Sequence, residues 1–375
     1  MKKTYHAIGL MSGSSLDGLD IAYCRFGTEW RDGVFTIPYW ELLEAETVPF
    51  DDDWKSLLMQ VPDRVTVGEF VHIHVLLGQF MGEQVMQFLK EKKIEPAGVD
   101  FIASHGHTAF HEPSQSFTSQ IGDGASLAAI TGRTVICDFR SADLAHGGQG
   151  APLAPMADKM LFPGYDFYLN IGGIANITCN AAGHFIAFDV TGANQLLDAL
   201  ATLAGKMFDE DGALAAWGQT DNLLFEKLNV PPYFGEPWPK SLSNQWVSSN
   251  LTALCLRAKS PVEDRLHTVC QHIAHQIGAS MRQIVEAEHF TKEKYRMLVT
   301  GGGAFNGFLM KCIGEHCPRV ELVVPSGEIV AFKEACLMAL LGLLRLENVP
   351  NCISSVTGAD VDVVGGAVYW GSGHV

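Results

Sequence analysis

One pattern that occurs twice limits the fold more than any other feature. "HAIGLMSGSSLDGLDIAYCRF" (6–26) is an apolar run, a bare turn of glycine, serine and aspartate, and a second apolar run. After Pro163 the order returns in "DFYLNIGGIANITCN" (166–180). Each copy predicts strand, glycine turn and return strand. A unit that opens both halves of a chain predicts duplicated lobes. The 375 residues are also too many for one ordinary core. The expected division is 1–150 and 151–375, with the last helix crossing back to the first lobe.

Further strands are expected at 34–48, 100–104, 133–137, 185–189 and 320–324. "RMLVTGGGAFNGFLM" (296–310) reads as strand, glycine turn and helix. Apolar residues at i, i+3, i+4 spacing predict long helices over 67–92 and 262–289, with shorter ones at 124–131, from about Ala193, and at 332–346. "SHGHTAFHEP" reads as a polar loop, and the proline-rich 230–243 as a surface loop. Strands mixed with helices throughout give an α/β protein of two similar lobes, with the cleft between them as the expected ligand site.

Composition removes several classes. A net charge of −16 argues against a nucleic-acid surface. No 18-residue apolar run suggests a membrane span, and the basic start "MKKTYHAIGLMSG" breaks too early for a signal peptide. The nine cysteines include no CxxC pair and read as reduced structural thiols. A cytoplasmic protein is expected. Acidity of the whole does not oppose a small anionic ligand, because backbone N–H groups can hold phosphate locally.

Three glycine turns, at 9–18, 172–173 and 301–303, are candidates for that task. None has Walker A or dinucleotide-fingerprint spacing. The first adds Ser12, Ser14, Ser15, Asp17 and Asp20. An acid in a phosphate loop repels the ligand unless a divalent cation lies between, so Asp17 is the expected Mg²⁺ carboxylate. Asp20, at the start of the return strand, is open between structure and site. The turn Gly301–Gly302–Gly303 has the form of a wall for an adenosine.

Asp189 closes the apolar run "FIAFD", a suitable place for a general base, although a helix-dipole acid would also stand there. His105, His107 and His111 permit a metal-site reading or a sugar-lining loop. "ICDFRSADLAHGGQGAPLAP" gathers Asp138, Arg140, Asp143 and Gln149, a density of polar groups suited to a sugar. Glu334 is the one acid on an apolar helix face.

Taken together, "GLMSGSSLDGLD", "SHGHTAFHEP", "CDFRSADLAHGGQGAPLAP", "LNIGGIANIT", "LVTGGGAFN" and "SSVTGAD" resemble the anhydro-N-acetylmuramic acid kinase family, in family order from about residue 6 to 360. The resemblance implies an actin-like ATPase fold with two duplicated ribonuclease-H-like lobes around a central cleft. It implies ATP and Mg²⁺ as cofactors and an amino sugar as substrate. It implies a reaction in which water opens the 1,6-anhydro bridge while O6 takes the γ-phosphate, as part of cell-wall sugar recycling. It also implies a homodimer.

By the same resemblance, Gly13, Ser14, Ser15, Leu16, Asp17, Gly18, Leu19 and Asp20 match the ATP loop, and Gly172 and Gly173 the second phosphate turn. Asp189 matches the acid that activates water, and Glu334 a supporting acid. His105, Asp138 and Arg140 fall in the sugar-side loops. Three places depart from the family pattern: "DVTGAN" for DTGPGN, His107 for the glutamine of HGQT, and "PKSLSNQWV" for PKSxGREYF. They leave two other readings to weigh: a kinase of the same fold for another sugar, and a weakly active ATP or muropeptide sensor.

Overall fold

Glycine turns too short for a crossover force antiparallel hairpins, and the strands that follow helices return in parallel. In the computed structural model, which describes residues 1–13, 16–62, 64–181 and 184–372, both halves are built this way. The first sheet contains β1 (Lys2–Ser12), β2 (Gly18–Arg31), β3 (Val34–Pro49), β4 (Phe101–Glu112), β5 (Phe117–Ile121), β6 (Thr134–Cys137) and, from the end of the chain, the strand Ala367–Tyr369. Its path is β3-β2-β1-β4-β6 and then the C-terminal strand, with β5 on β4. The β1–β2 and β2–β3 pairs are antiparallel, and β1–β4 and β4–β6 are parallel.

The second sheet contains β7 (Phe167–Ile171), β8 (Ile174–Ala181), β9 (His184–Gly192), β10 (Tyr295–Thr300) and β11 (Val320–Val323). Its path, β9-β8-β7-β10-β11, repeats the first step for step. Here too the two hairpins are antiparallel, and the β7–β10 and β10–β11 pairs are parallel. The duplication is therefore one of topology, the ribonuclease-H-like path in an α/β protein.

Each sheet is covered by a helix whose apolar stripe the sequence shows. Over Val67–Glu91 the buried residues Ile73, Leu77, Met81, Val85 and Phe88 recur at helical spacing and pack with Ile8, Leu10 and Ile102. Thr66 and Glu69 form a capping box at its start. Over Val262–Ala287, Leu266, Val269, Ile273, Ile277 and Ile284 pack with Phe167, Leu169, Ile177 and Val299. Each such side chain contributes about 1.5–3 kcal/mol when fully buried.

The chain divides into a unit of residues 1–163 with 332–375 and a unit of residues 164–331. This differs from the expected 1–150 and 151–375. Trp40 keeps the chain to Phe162 with the first unit: its Nε1 donates to the Leu161 carbonyl at 2.7 Å and its ring meets Phe162 edge-on. The C-terminal strand pairs with β6, which carries the last 44 residues back.

A second difference concerns "SHGHTAFHEP". Its first nine residues continue β4, and from His107 on they pair with β5, a strand absent from the sequence reading. Gly106, at φ 71°, interrupts the alternation there, so no strand period is visible.

Candidate functional site

The first unit gathers four of the expected residues. β1 presses against the helix Gly327–Leu346 at Gly9, where a Cβ would overlap the Ala335 carbonyl. Only glycine allows that approach, and it brings Glu334 alongside the hairpin. Glu334 keeps solvent access but stands among protein groups. That crowding, and then the charge of Asp20, push its carboxyl above the usual range, while Arg140 and Lys333 pull it back. Arg140 in turn donates from Nε to His105 Nε2 at 3.0 Å and from Nη1 to the Gly150 carbonyl at 2.6 Å. Asp20, Glu334, Arg140 and His105 are thus one cluster.

His105 is almost wholly buried. Burial first, then the Arg140 charge, hold its pKa down at about 3. With Nε2 accepting from Arg140, Nδ1 carries the proton and faces the Gly106 carbonyl at 3.2 Å. His107 and His111 have separate partners, Ser12 Oγ at 3.0 Å and Thr118 Oγ1 at 3.1 Å. Among the described residues no three His, Cys, Asp or Glu side chains group as metal ligands do.

The loop after β6 is held from within. Asp143 is fully buried. Its Oδ1 accepts from Thr357 Oγ1 at 2.7 Å and its Oδ2 from the Gly150 N–H at 2.7 Å. "SSVTGAD" therefore supports the loop whose Gly150 carbonyl holds Arg140. Asp138, in left-handed conformation and exposed, accepts from the Ser141 N–H and hydroxyl at the start of the helix Ser141–Ala145. Gln149 is exposed.

In the first glycine turn, Ser14 and Ser15 lie outside the described residues. The Leu16 N–H donates to the Gly13 carbonyl at 3.3 Å, and Leu16 takes a left-handed φ of 57°. Gly18 opens β2 against the Val48 carbonyl, and the Leu19 side chain is fully buried in the core, so each can meet a ligand only through its backbone. The exposed Asp17 carboxylate accepts no hydrogen bond among the described residues. Asp20 Oδ1 accepts from Thr47 Oγ1 at 2.6 Å. Burial, and less so the Asp17 charge, raise its pKa against the effect of that bond. The carboxylate oxygens of Asp17 and Asp20 are hard donors of the kind that magnesium takes.

The second unit joins the other two turns. β10 lies beside β7, which sets Gly301–Gly303 against Asn170 and Ile171. A Cβ at Gly303 would overlap Ile171, and one at Gly301 would lie 2.6 Å from the Ile171 carbonyl with φ at +83°. These two glycines are required by packing. At Gly172, Gly173 and Gly302 a Cβ would meet nothing nearer than 3.5 Å, and none has a positive φ. Nothing within the unit requires their bareness. Beside them Thr300 Oγ1 is buried without a hydrogen-bond partner among the described residues.

Asp189 is near the end of β9, next to a bulge: Asn176 pairs with Asp189 but Ala175 with Thr191. The Leu242 N–H donates to Asp189 Oδ2 at 2.9 Å, and among the described residues Oδ1 accepts no hydrogen bond. Burial raises the Asp189 pKa against that one bond. The proline-rich stretch read as a surface loop is what holds this acid, through Tyr233, Lys240 and Leu242. Its prolines and polar residues carry no periodicity, so the sequence gives no sign of it. Lys333, tied to the buried Asp158, was likewise not singled out.

The sequence profile described as Anhydro-N-acetylmuramic acid kinase matches residues 5–371. A protein of that name from Methylobacterium nodulans is 35% identical over 393 residues, covering 96% of this chain and 98% of its own. Relatives of the same name from Nitrosomonas europaea and Legionella pneumophila (strain Lens) are 33% and 32% identical. They cover 96% of this chain and 99% and 97% of their own.

Proposed function

From the premise that this chain belongs to the anhydro-N-acetylmuramic acid kinase family, we propose that it opens 1,6-anhydro-N-acetylmuramic acid with water and phosphorylates O6 from ATP, with Asp189 as the base. The observation that carries this role is the half-occupied carboxylate: Oδ2 is fixed by Leu242, Oδ1 accepts no hydrogen bond among the described residues and is open to a proton, and burial makes the group more basic than an ordinary aspartate. A water oxygen bonds to C1 as its proton passes to Asp189. The C1–O6 bond breaks, O6 bonds to the γ-phosphorus, and the bond to ADP breaks. The products are N-acetylmuramic acid 6-phosphate and ADP.

Glu334 is the second acid of the reaction, and His105, Arg140 and Asp138 are the sugar-side groups. The fixed His105 tautomer and the anchored guanidinium support the first two. Asp138, already bonded to the Ser141 hydroxyl, is the weakest member. Gly13–Asp20, Gly172, Gly173 and Gly301–Gly303 bind ATP. The glycines that packing leaves unexplained support this most directly, since bare backbone lets a ligand approach. Asp17, with Asp20, would hold Mg²⁺, which supplies charge neutralisation at the phosphates when bound.

A homodimer and a cytoplasmic location complete the reading. Nine free cysteines and the absence of a helix long and apolar enough to cross a membrane, among the described residues, accord with that location. An ADP-release assay with the anhydro sugar tests the function. We expect turnover that Asp189→Asn abolishes. Turnover with other sugars alone, or ATP binding with no turnover, would overturn it.

A further inference from the structure

The end of β9 is held from two sides. On one, Thr191 Oγ1 bonds His272 Nε2 at 2.9 Å, and His272 Nδ1 bonds Asn229 Oδ1 at 2.9 Å. Gln276 adds a bond to the same Asn229 oxygen at 2.6 Å. On the other, residues 233–242 cross over Asp189. Tyr233 Oη donates to the Asp189 carbonyl at 2.6 Å, the Asp189 N–H donates to the Lys240 carbonyl at 3.3 Å, and the Leu242 N–H reaches the carboxylate. Lys240 closes the strap on itself: Nζ donates to the Tyr233 carbonyl at 3.0 Å and stands 4.8 Å from the Tyr233 ring centroid. Phe234 meets the His272 ring edge-on, joining the two sides.

We propose that Tyr233 and Lys240 are positioning residues for Asp189, and that their strap fixes where Oδ1 points. This rests on the reading of Asp189 as the base. The turn after Asp189 is "DVTGAN", without the proline of the family pattern, and a bulge lies beside it. Such a strand end needs outside contacts to hold one direction. Burial, and then the charges of Asp189 and Glu236, raise the Tyr233 pKa, so its hydroxyl remains a donor. Lys240, Glu236 and Tyr233 are the titratable groups of the strap, and the Leu242 bond is the one that favours the charged carboxylate.

Tyr233→Phe removes the hydroxyl and leaves the ring against Trp246 and Lys240. Its kcat is expected to fall about tenfold or more through loss of aim. KM for ATP should be unchanged. The acidic limb of the kcat profile should move to higher pH, because a loosened strap weakens the Leu242 bond and raises the Asp189 pKa. Lys240→Met should act in the same direction, and it decides the question if Tyr233→Phe fails to fold. With Asp189→Asn inactive, a wild-type kcat and acidic limb in the folded variant would overturn the inference alone. A kcat that falls only in step with thermal stability, at an unchanged limb, would also overturn it. Full turnover by Asp189→Asn would overturn the base assignment and this inference with it.

Discussion

Lys333 Nζ donates to Asp158 Oδ1 at 2.6 Å, and the two side chains are only 12% and 3% exposed. The pair ties the helix Gly327–Leu346, at the residue before Glu334, to the short helix Ala154–Met160. Burial raises the Asp158 pKa and Lys333 opposes the rise. Removing the cation leaves a buried acid without its counter-charge, so Lys333→Met should cost about 3–5 kcal/mol. Asp158→Asn added to it should restore part of that loss. Denaturant unfolding of the two single variants and the double variant measures the coupling. Equal and additive losses would remove the pair from any structural role.

His105 and His272 both have pKa values held at about 3 by burial. In the unfolded chain each titrates near 6.5. Between those values the unfolded state binds the extra proton, so stability rises with pH through the window and is lost as pH falls below about 6.5. By pH 4 the loss is on the order of 3 kcal/mol per imidazole. Urea melts from pH 7 to pH 4 should show it, and His272→Gln should flatten the slope by roughly half. A wild-type stability independent of pH over that range would contradict the neutral, buried state of both rings.

Strong periodicities were legible: the hairpins β1–β2 and β7–β8, the strand 34–48, and the helices over 67–92 and 262–289 all lie where the pattern places them. Short elements were not. The helices Asp52–Gln60, Asn222–Asn229 and Ala253–Arg257 have too few turns for a period to stand out, and β5 and the C-terminal strand exist because of their partners. In the candidate site, the residue types of Asp189, Arg140 and His105 announced chemistry. What holds them did not, because the Leu242 N–H and the Gly150 carbonyl are backbone groups that any residue could supply. Asp143 was misleading for a related reason. It sits among candidate sugar-binding residues, yet its oxygens are bonded to Thr357 and Gly150 inside the protein.

That buried aspartate gives a third expectation. Thr357→Val keeps the shape and deletes the hydroxyl on Asp143 Oδ1. An unsatisfied buried acceptor costs about 1–3 kcal/mol, more when charged. The strain falls on the loop whose Gly150 carbonyl anchors Arg140. KM for the sugar should therefore rise while KM for ATP stays unchanged. Steady-state kinetics in both substrates checks this, and equal effects on both constants would sever Thr357 from the sugar side.

The glycines of the second unit separate ligand from packing. At Gly172, Gly173 and Gly302 a methyl group has room and the backbone has an ordinary φ. Alanine there should change stability by no more than about 1 kcal/mol, and in the stabilising direction where it restricts the unfolded chain. If bare backbone at these positions meets ATP, the same alanines should raise KM for ATP about tenfold, equivalent to about 1.4 kcal/mol of binding. Gly303→Ala should do the reverse of this split. Its methyl would overlap Ile171, so destabilisation comes first and any change in ATP affinity follows from it. Thermal melts and ATP titrations on the four variants decide the matter. Unchanged ATP affinity in stable Gly172→Ala and Gly173→Ala proteins would remove the β7–β8 turn from the nucleotide site.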